Sequence, residues 1–166
     1  MFIGRYIHKI DSKGRLALPI RMREAGKGVS YSQFIVTKGI GGCIAVFPVD
    51  KFENFLDGFD PEELSPEQGL NFYREVASWA HDVSVDNQGR INLPQMLIEN
   101  VGLNEEVLVL GVVDWIEIWD PMKYREHIEK SNTQYDDGAM QFFSSLIRGR
   151  KKKRQSDEES SERDGE

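Results

Sequence analysis

The 166-residue chain holds a single cysteine, Cys43, so no internal disulfide braces it, which fits a reducing cytoplasm. No stretch approaches the roughly 20 apolar residues of a membrane span, so no membrane partner is expected. The N-terminus lacks the basic start, apolar core and small-residue cleavage site of a signal peptide. Histidine is scarce. His8, His81 and His127 show no metal-ligand spacing with one another or with Cys43, so no metal is expected. Cys43, at the start of an apolar run, reads as core packing, not as an exposed nucleophile. Gly39-Ile40-Gly41-Gly42 lacks the ending of a phosphate-binding loop and does not open a helix; it reads as a hairpin turn. With no catalytic constellation, the expectation is a protein that is not an enzyme and needs no cofactor.

What is present is an unequal distribution of charge. Hydrophobic residues make up 39% of the chain and mean hydropathy is −0.50, which fits one compact domain or two small intertwined halves. A net charge of −7 argues, taken whole, against nucleic acid as a partner. Its distribution argues the reverse. Up to Lys38 the cations are Arg5, Lys9, Lys13, Arg15, Arg21, Arg23, Lys27 and Lys38, against only Asp11 and Glu24. Acids then dominate: Asp50, Glu53, Asp57, Asp60, Glu62, Glu63 and Glu67. Segregation of this kind makes one face positive whatever the total.

The chain also repeats itself. Asp11-Ser12-Lys13-Gly14-Arg15-Leu16-Ala17-Leu18-Pro19 returns as Asp86-Asn87-Gln88-Gly89-Arg90-Ile91-Asn92-Leu93-Pro94. Ile35–Gly39 aligns with Val107–Gly111, Cys43–Pro48 with Trp115–Asp120, and Lys51-Phe52 with Lys123-Tyr124. A duplicated unit is expected.

Within each copy the punctuation predicts the elements. Phe2 to Ile10 reads as a strand with Arg5, Ile7 and Lys9 on one face. Asp11 to Gly14 reads as a tight turn, the Asp bonding forward and Gly14 supplying positive φ. A strand over Arg15–Leu18 and a short helix starting at Pro19 and stopping at Gly26 follow. The second copy matches, with turn residues Asp86 and Gly89 and a helix between Pro94 and Gly102. Strands are expected at 34–38, 44–47, 107–110 and 116–119, with a helix after each copy, the second capped by Asp120. Ser65-Pro66-Glu67-Gln68 has the form of a capping box opening a helix with Leu70, Tyr73, Val76, Ala77 and Ala80 on one face. A last helix is expected over about 139–147. The basic run 148–154 and acidic run 155–166 are too charged to bury and are expected to be disordered.

The residues around the first turn point to DNA. Lys13 and Arg15 flank Gly14 near one tip, Arg5 and Lys9 lie on the strand leading in, and Arg21 and Arg23 on the helix leading out. A lysine binds phosphate as a point charge, whereas an arginine can also pair with a guanine edge. Sheet edges left open by half-units need covering, and linker residues such as Leu70, Phe72, Tyr73 and Trp79 are candidates for a contact between subunits.

Met1-Phe2-x-Gly4, Asp11-Ser12-Lys13-Gly14-Arg15, Leu18-Pro19, Asp86-x-x-Gly89-Arg90 and Ile116-x-Ile118-Trp119 resemble the MraZ family of bacterial transcriptional regulators. The resemblance covers residues 1–147. It implies an α+β fold, mainly β with short helices: a double-split β-barrel of two AbrB-like ββαββ repeats with flanking helices. The repeats would span 5–52 and 81–124, with a helical linker at 53–80, a C-terminal helical segment at 125–147 and the tail at 148–166. It further implies ring-like homo-oligomers and repression through double-stranded DNA. The DNA would be direct repeats upstream of the division and cell-wall gene cluster, the protein's own gene included. Lys13 and Arg15 would be DNA contacts and Arg90 the counterpart in the second copy, in a cytoplasmic, nucleoid-associated protein. Gln88 in the place of Lys13 would make the second turn weaker, or an aid to assembly. An AbrB-type antitoxin or other interaction module, whose acidic tail wraps a partner, is the alternative.

Overall fold

The computed structural model describes residues 1–24, 28–58, 65–131 and 138–139. Met1–Glu126 form one compact unit and His127–Glu166 a second. The expected helix stop at Gly26 and the expected tail at 148–166 lie outside the described residues, as does all but Ala139 of the expected last helix.

The first copy runs through β1 (Arg5–Lys9), β2 (Arg15–Ala17), α1 (Ile20–Arg23), β3 (Gln33–Lys38), β4 (Ile44–Pro48) and α2 (Val49–Asp57). After α3 (Pro66–Trp79), the second follows with β5 (His81–Ser84), β6 (Arg90–Asn92), α4 (Gln95–Val101), β7 (Glu106–Val112), β8 (Trp115–Trp119) and α5 (Pro121–Ser131). A short helix follows Leu-Pro in both copies. Gly102 ends α4 in the left-handed region at φ 63. Pro19 and Pro94 stand at the N-cap, one residue before the first helical position. Copy one departs at the far end: α1 stops at Arg23 because Glu24 turns extended and bridges Ser30.

The copies do not fold side by side; they exchange strands. The six-stranded sheet has the order β1-β7-β8-β4-β3-β5, and a second sheet pairs β2 with β6. The pairs β1·β7, β4·β8, β3·β5 and β2·β6 all join one copy to the other, antiparallel. Exchanging the copies returns the same strand order. The pseudo-twofold passes through two pairs, Leu16↔Ile91 and Ala45↔Glu117. This is the expected α+β arrangement of interlocked split hairpins.

One alignment is corrected by the register. Val107 takes the place of Phe34, not of Ile35: Val107 pairs with His8 as Phe34 pairs with Val83. Phe34 and Val107 both face the shared core, while Ile35 and Leu108 face outward into smaller clusters. Strand side chains alternate between faces, so a slip of one residue exchanges the two sides. An unbroken apolar run hides such a slip from the eye.

The shared core contains Leu16, Leu18 and Met22 from copy one and Ile91, Leu93 and Leu97 from copy two, all at most 3% exposed. Burying each such side chain contributes roughly 1.5–3 kcal/mol. The outer face of β3 and β4 is covered by Phe52 of α2 and Val76 of α3, packed with Ile35, Ala45 and Phe47. On the outer face of β7 and β8, Tyr124 of α5 packs edge-on against Trp119, their centroids 5.4 Å apart. Cover on both faces explains why β3 and β4 read as continuous apolar runs.

In α3 the capping box forms as expected, with Ser65 Oγ accepting from Gln68 N at 3.3 Å and Gln68 Oε1 from Ser65 N at 3.2 Å. Its inward face is corrected. Phe72, Tyr73, Val76, Trp79 and Ala80 are half-buried, whereas Leu70 is 50% exposed and Ala77 is exposed. Thr37 on β3 sets the helix rotation by donating its hydroxyl to the Val76 carbonyl at 3.4 Å.

Candidate nucleic-acid interface

Each repeated motif builds the same turn, and one carboxylate does most of the building. Asp11 Oδ1 accepts from the amides of Lys13 at 2.9 Å and Arg15 at 3.0 Å. Its Oδ2 accepts from Arg15 Nε at 2.7 Å and Nη2 at 2.6 Å. In the second copy Asp86 Oδ1 accepts from Gln88 and Arg90 amides, both at 2.9 Å, and Oδ2 from Arg90 Nε and Nη2, both at 2.8 Å. Gly14 at φ 77 and Gly89 at φ 76 make the reversal possible. The Arg15 side-chain hydrogen bond, with the backbone amides behind it, holds the Asp11 pKa down to about 2. Asp86 is also lowered, first by the Arg90 amide.

Strand exchange then sets the two turns at opposite ends of the short β2·β6 ladder, with Arg15 and Arg90 diagonal to each other across its middle. Arg15 lies opposite Asn92, and Ala17 opposite Arg90. The Gly14 carbonyl accepts from Leu93 N at 2.8 Å and the Gly89 carbonyl from Leu18 N at 3.0 Å. The Arg15 pKa is raised first by its Asp11 hydrogen bond, and Asp86 of the other turn adds to the same field. Arg15 therefore stands within electrostatic range of the other turn's carboxylate.

Arg23 sits at the turn opposite to the one the linear sequence suggests. It follows the first motif but packs over the second: a Cβ on Gly89 would lie 2.6 Å from Arg23 Cζ. Arg23 Nε is anchored on the Leu18 carbonyl at 3.2 Å. The pseudo-twofold gives Gly14 a different cover, since a Cβ there would lie 2.8 Å from the Leu93 carbonyl oxygen and 3.3 Å from Ile98 Cδ1. Arg23 and Ile98 occupy equivalent places, each four residues past its copy's Leu-Pro proline. Comparing those positions, together with the knowledge that the copies interlock, would have revealed this from sequence.

The remaining expected residues divide. Lys13 is exposed at the first tip and has no carboxylate partner among the described residues; nor does Arg23 at the second. Lys9 leans away onto Glu105 at 3.0 Å, a hydrogen bond that raises its pKa. Arg5 lies at the far end of β1, roughly 13 Å from Lys9 along an extended strand, with its guanidinium 5.4 Å from the Tyr124 ring centroid. Arg5, Ile7 and Lys9 do share the exposed face of β1. The structure thus places Lys13 and Arg15 at the first turn and Arg90 and Arg23 at the second, and leaves Arg5 apart from both. Such a surface offers positive charge and forked donors to an anionic partner.

The other candidates fall as burial dictates. Cys43 is buried, its thiol pKa pushed up by desolvation, with Sγ directed at the Ile40 carbonyl at 3.4 Å. Gly39–Gly42 form the β3–β4 hairpin turn. Among the described residues, no cluster of three or more His, Cys, Asp or Glu side chains is placed to hold a metal, and no helix is long and apolar enough to cross a membrane.

A family model described as "MraZ protein, putative antitoxin-like" matches residues 1–69 and 76–143. Among similar curated proteins, the transcriptional regulator MraZ of Alkaliphilus metalliredigens is 39% identical over 139 residues, covering 84% of this chain and 94% of that protein. The protein of the same name from Finegoldia magna is 37% identical over 140 residues, with the same coverage. That of Thermomicrobium roseum is 39% identical over 129 residues, covering 78% of this chain and 88% of its own.

Proposed function

The chain belongs to the MraZ family, and from that premise we propose that it is a transcriptional regulator that binds double-stranded DNA sequence-specifically and represses. One observation supports this most: Arg15 and Arg90, each gripped by a carboxylate, stand on the two turns joined by the β2·β6 ladder, with Lys13 at the first turn and Arg23 at the second, neither having a carboxylate partner among the described residues. Arg15 and Arg90 read base edges. Lys13 and Arg23 bind phosphates as charges. Lys9 and Arg5 extend the backbone contacts along β1. Moving Lys9 from Glu105 to a phosphate costs little, because an ion pair that exposed is well screened by solvent. Asp11, Gly14, Asp86 and Gly89 form the turns.

The targets in this reading are short direct repeats upstream of the division and cell-wall gene cluster, including the protein's own gene. The protein works as a ring-like homo-oligomer in the cytoplasm, associated with the nucleoid. Several small tips bound to spaced repeats then add through effective concentration. The exposed Leu70 on α3 and the outer edges of β1 and β5 are the surfaces available for assembly. Residues 5–52 and 81–124 serve as the two repeats, joined by the linker at 53–80 and followed by the segments at 125–147 and 148–166.

Fluorescence anisotropy with a duplex from the protein's own upstream region tests the reading. Tight binding that weakens steeply with salt, and that exceeds binding to an unrelated duplex, is expected. Equal affinity for both would remove sequence reading. Co-purification of a small basic protein, with no DNA binding, would favour the antitoxin-like alternative.

A further inference from the structure

We propose that Asp11 is a positioning residue for DNA reading, one that aims the Arg15 guanidinium at base edges and discourages indiscriminate phosphate binding. The proposal deepens the DNA-binding reading above and rests on it.

The observation is a division of labour between two oxygens. Asp11 Oδ1 alone closes the turn, taking the Lys13 and Arg15 amides. Oδ2 is not needed for the turn and is spent wholly on Nε and Nη2 of Arg15. Asp86 divides its oxygens in the same way. The second turn has Asn87-Gln88 where the first has Ser12-Lys13, so the grip does not depend on the residues at the tip.

A guanidinium has five N–H donors in a planar fork. Held along its Nε edge, Arg15 keeps both protons on Nη1 and one on Nη2. Those donors form an end-on fork, which suits the O6 and N7 acceptors of guanine in the major groove. An arginine without the grip sweeps its donors over any nearby phosphate, and phosphates carry no sequence. Asp11 is also itself an exposed negative charge beside Arg15, and it repels every duplex alike. Asp11 therefore lowers affinity for DNA in general and raises discrimination among sequences. Loss of a residue that merely braces the turn weakens binding to both duplexes together and leaves the discrimination between them unchanged.

Asp11→Asn separates the two roles, because the amide oxygen still accepts the turn hydrogen bonds while the charge and the second acceptor are gone. Affinity is measured for a duplex from the region upstream of the protein's own gene and for an unrelated duplex of equal length, over a salt series. The expected result is a ratio of the two affinities that falls roughly tenfold or more, with the unrelated duplex bound as tightly as before or more tightly. In an Arg15→Ala background, Asp11→Asn leaves the ratio unchanged, because it acts through Arg15. An unchanged ratio in the single variant overturns the proposal, as does a parallel fall in both affinities accompanied by a lower Tm. A wild-type protein that binds both duplexes equally overturns the DNA-reading function itself, an outcome visible before any variant is made.

Discussion

Asp11 holds Arg15 and Asp86 holds Arg90 with the same atoms at nearly the same distances. Between those ends the first turn carries a lysine and the second a glutamine. Read along the chain, the first turn is the stronger cation, since a basic strand enters it and a basic helix leaves. In space the balance shifts, because Arg23 crosses to the second turn and Lys9 is drawn onto Glu105. Each tip then has one gripped arginine and one cation without a carboxylate among the described residues. Copy one supplies the extra cation at both tips. Strand exchange thus redistributes charge between sites that sequence order had made unequal.

The largest expected effects test whether the copies share one core. Leu16→Ala and Ile91→Ala strike the pair on the pseudo-twofold, each fully buried. Each should cost about 2–5 kcal/mol, read by chemical denaturation as a loss from one common transition. Separate transitions for the two variants would mean separable halves.

Gly14→Ala and Gly89→Ala should be less equal. Both incur left-handed strain of roughly 1–2 kcal/mol. At Gly14 the new Cβ also meets a backbone carbonyl, that of Leu93, which cannot swing aside. At Gly89 it meets the Arg23 side chain, which can. Denaturation should therefore rank Gly14→Ala as the costlier, and anisotropy should show Gly89→Ala weakening DNA binding beyond its effect on stability.

The arginines come next. Arg15→Ala is expected to cost on the order of 1–3 kcal/mol of operator affinity, and Arg90→Ala a loss of similar kind if the tips are equivalent. Unchanged binding in Arg90→Ala would restore the first turn as the sole reader. Arg23→Ile gives the second tip the cover that Ile98 gives the first. It should weaken all duplexes about tenfold, the size of one charge-assisted hydrogen bond, and lower the salt slope by about 0.9.

The smallest effect concerns pH. The folded-state pKa of Asp11 is depressed to about 2, so its contribution to stability is complete above the unfolded value of about 3.9. It fades as pH falls through the interval down to about 2. The stability difference between wild type and Asp11→Asn should be flat above pH 4 and shrink below it.

Much of this was legible in the chain. The turns, their positive-φ glycines, both hairpins, the α3 capping box and the Asp120 cap follow from local chemistry, since Asp120 Oδ1 does accept the Met122 and Lys123 amides. The inward face of α3 was not legible, because an apolar stripe containing Leu70 and Ala77 competes with one containing Phe72 and Trp79, and only docking on Thr37 chooses. Nor was the end of α1, where Glu24 leaves the helix for a bridge to Ser30.

The sequence by itself determined the duplication, the Asp–Gly–Arg turns and the family, because these depend on residues within a few positions of each other. Tertiary structure alone decided which strand of one copy pairs with which of the other and that Val107 matches Phe34, and Arg23's place at the second turn follows once that pairing is known. Those outcomes depend on burying one core between two copies. Pairing across the pseudo-twofold covers the apolar faces of both at once, and carries each short helix over to its partner's turn.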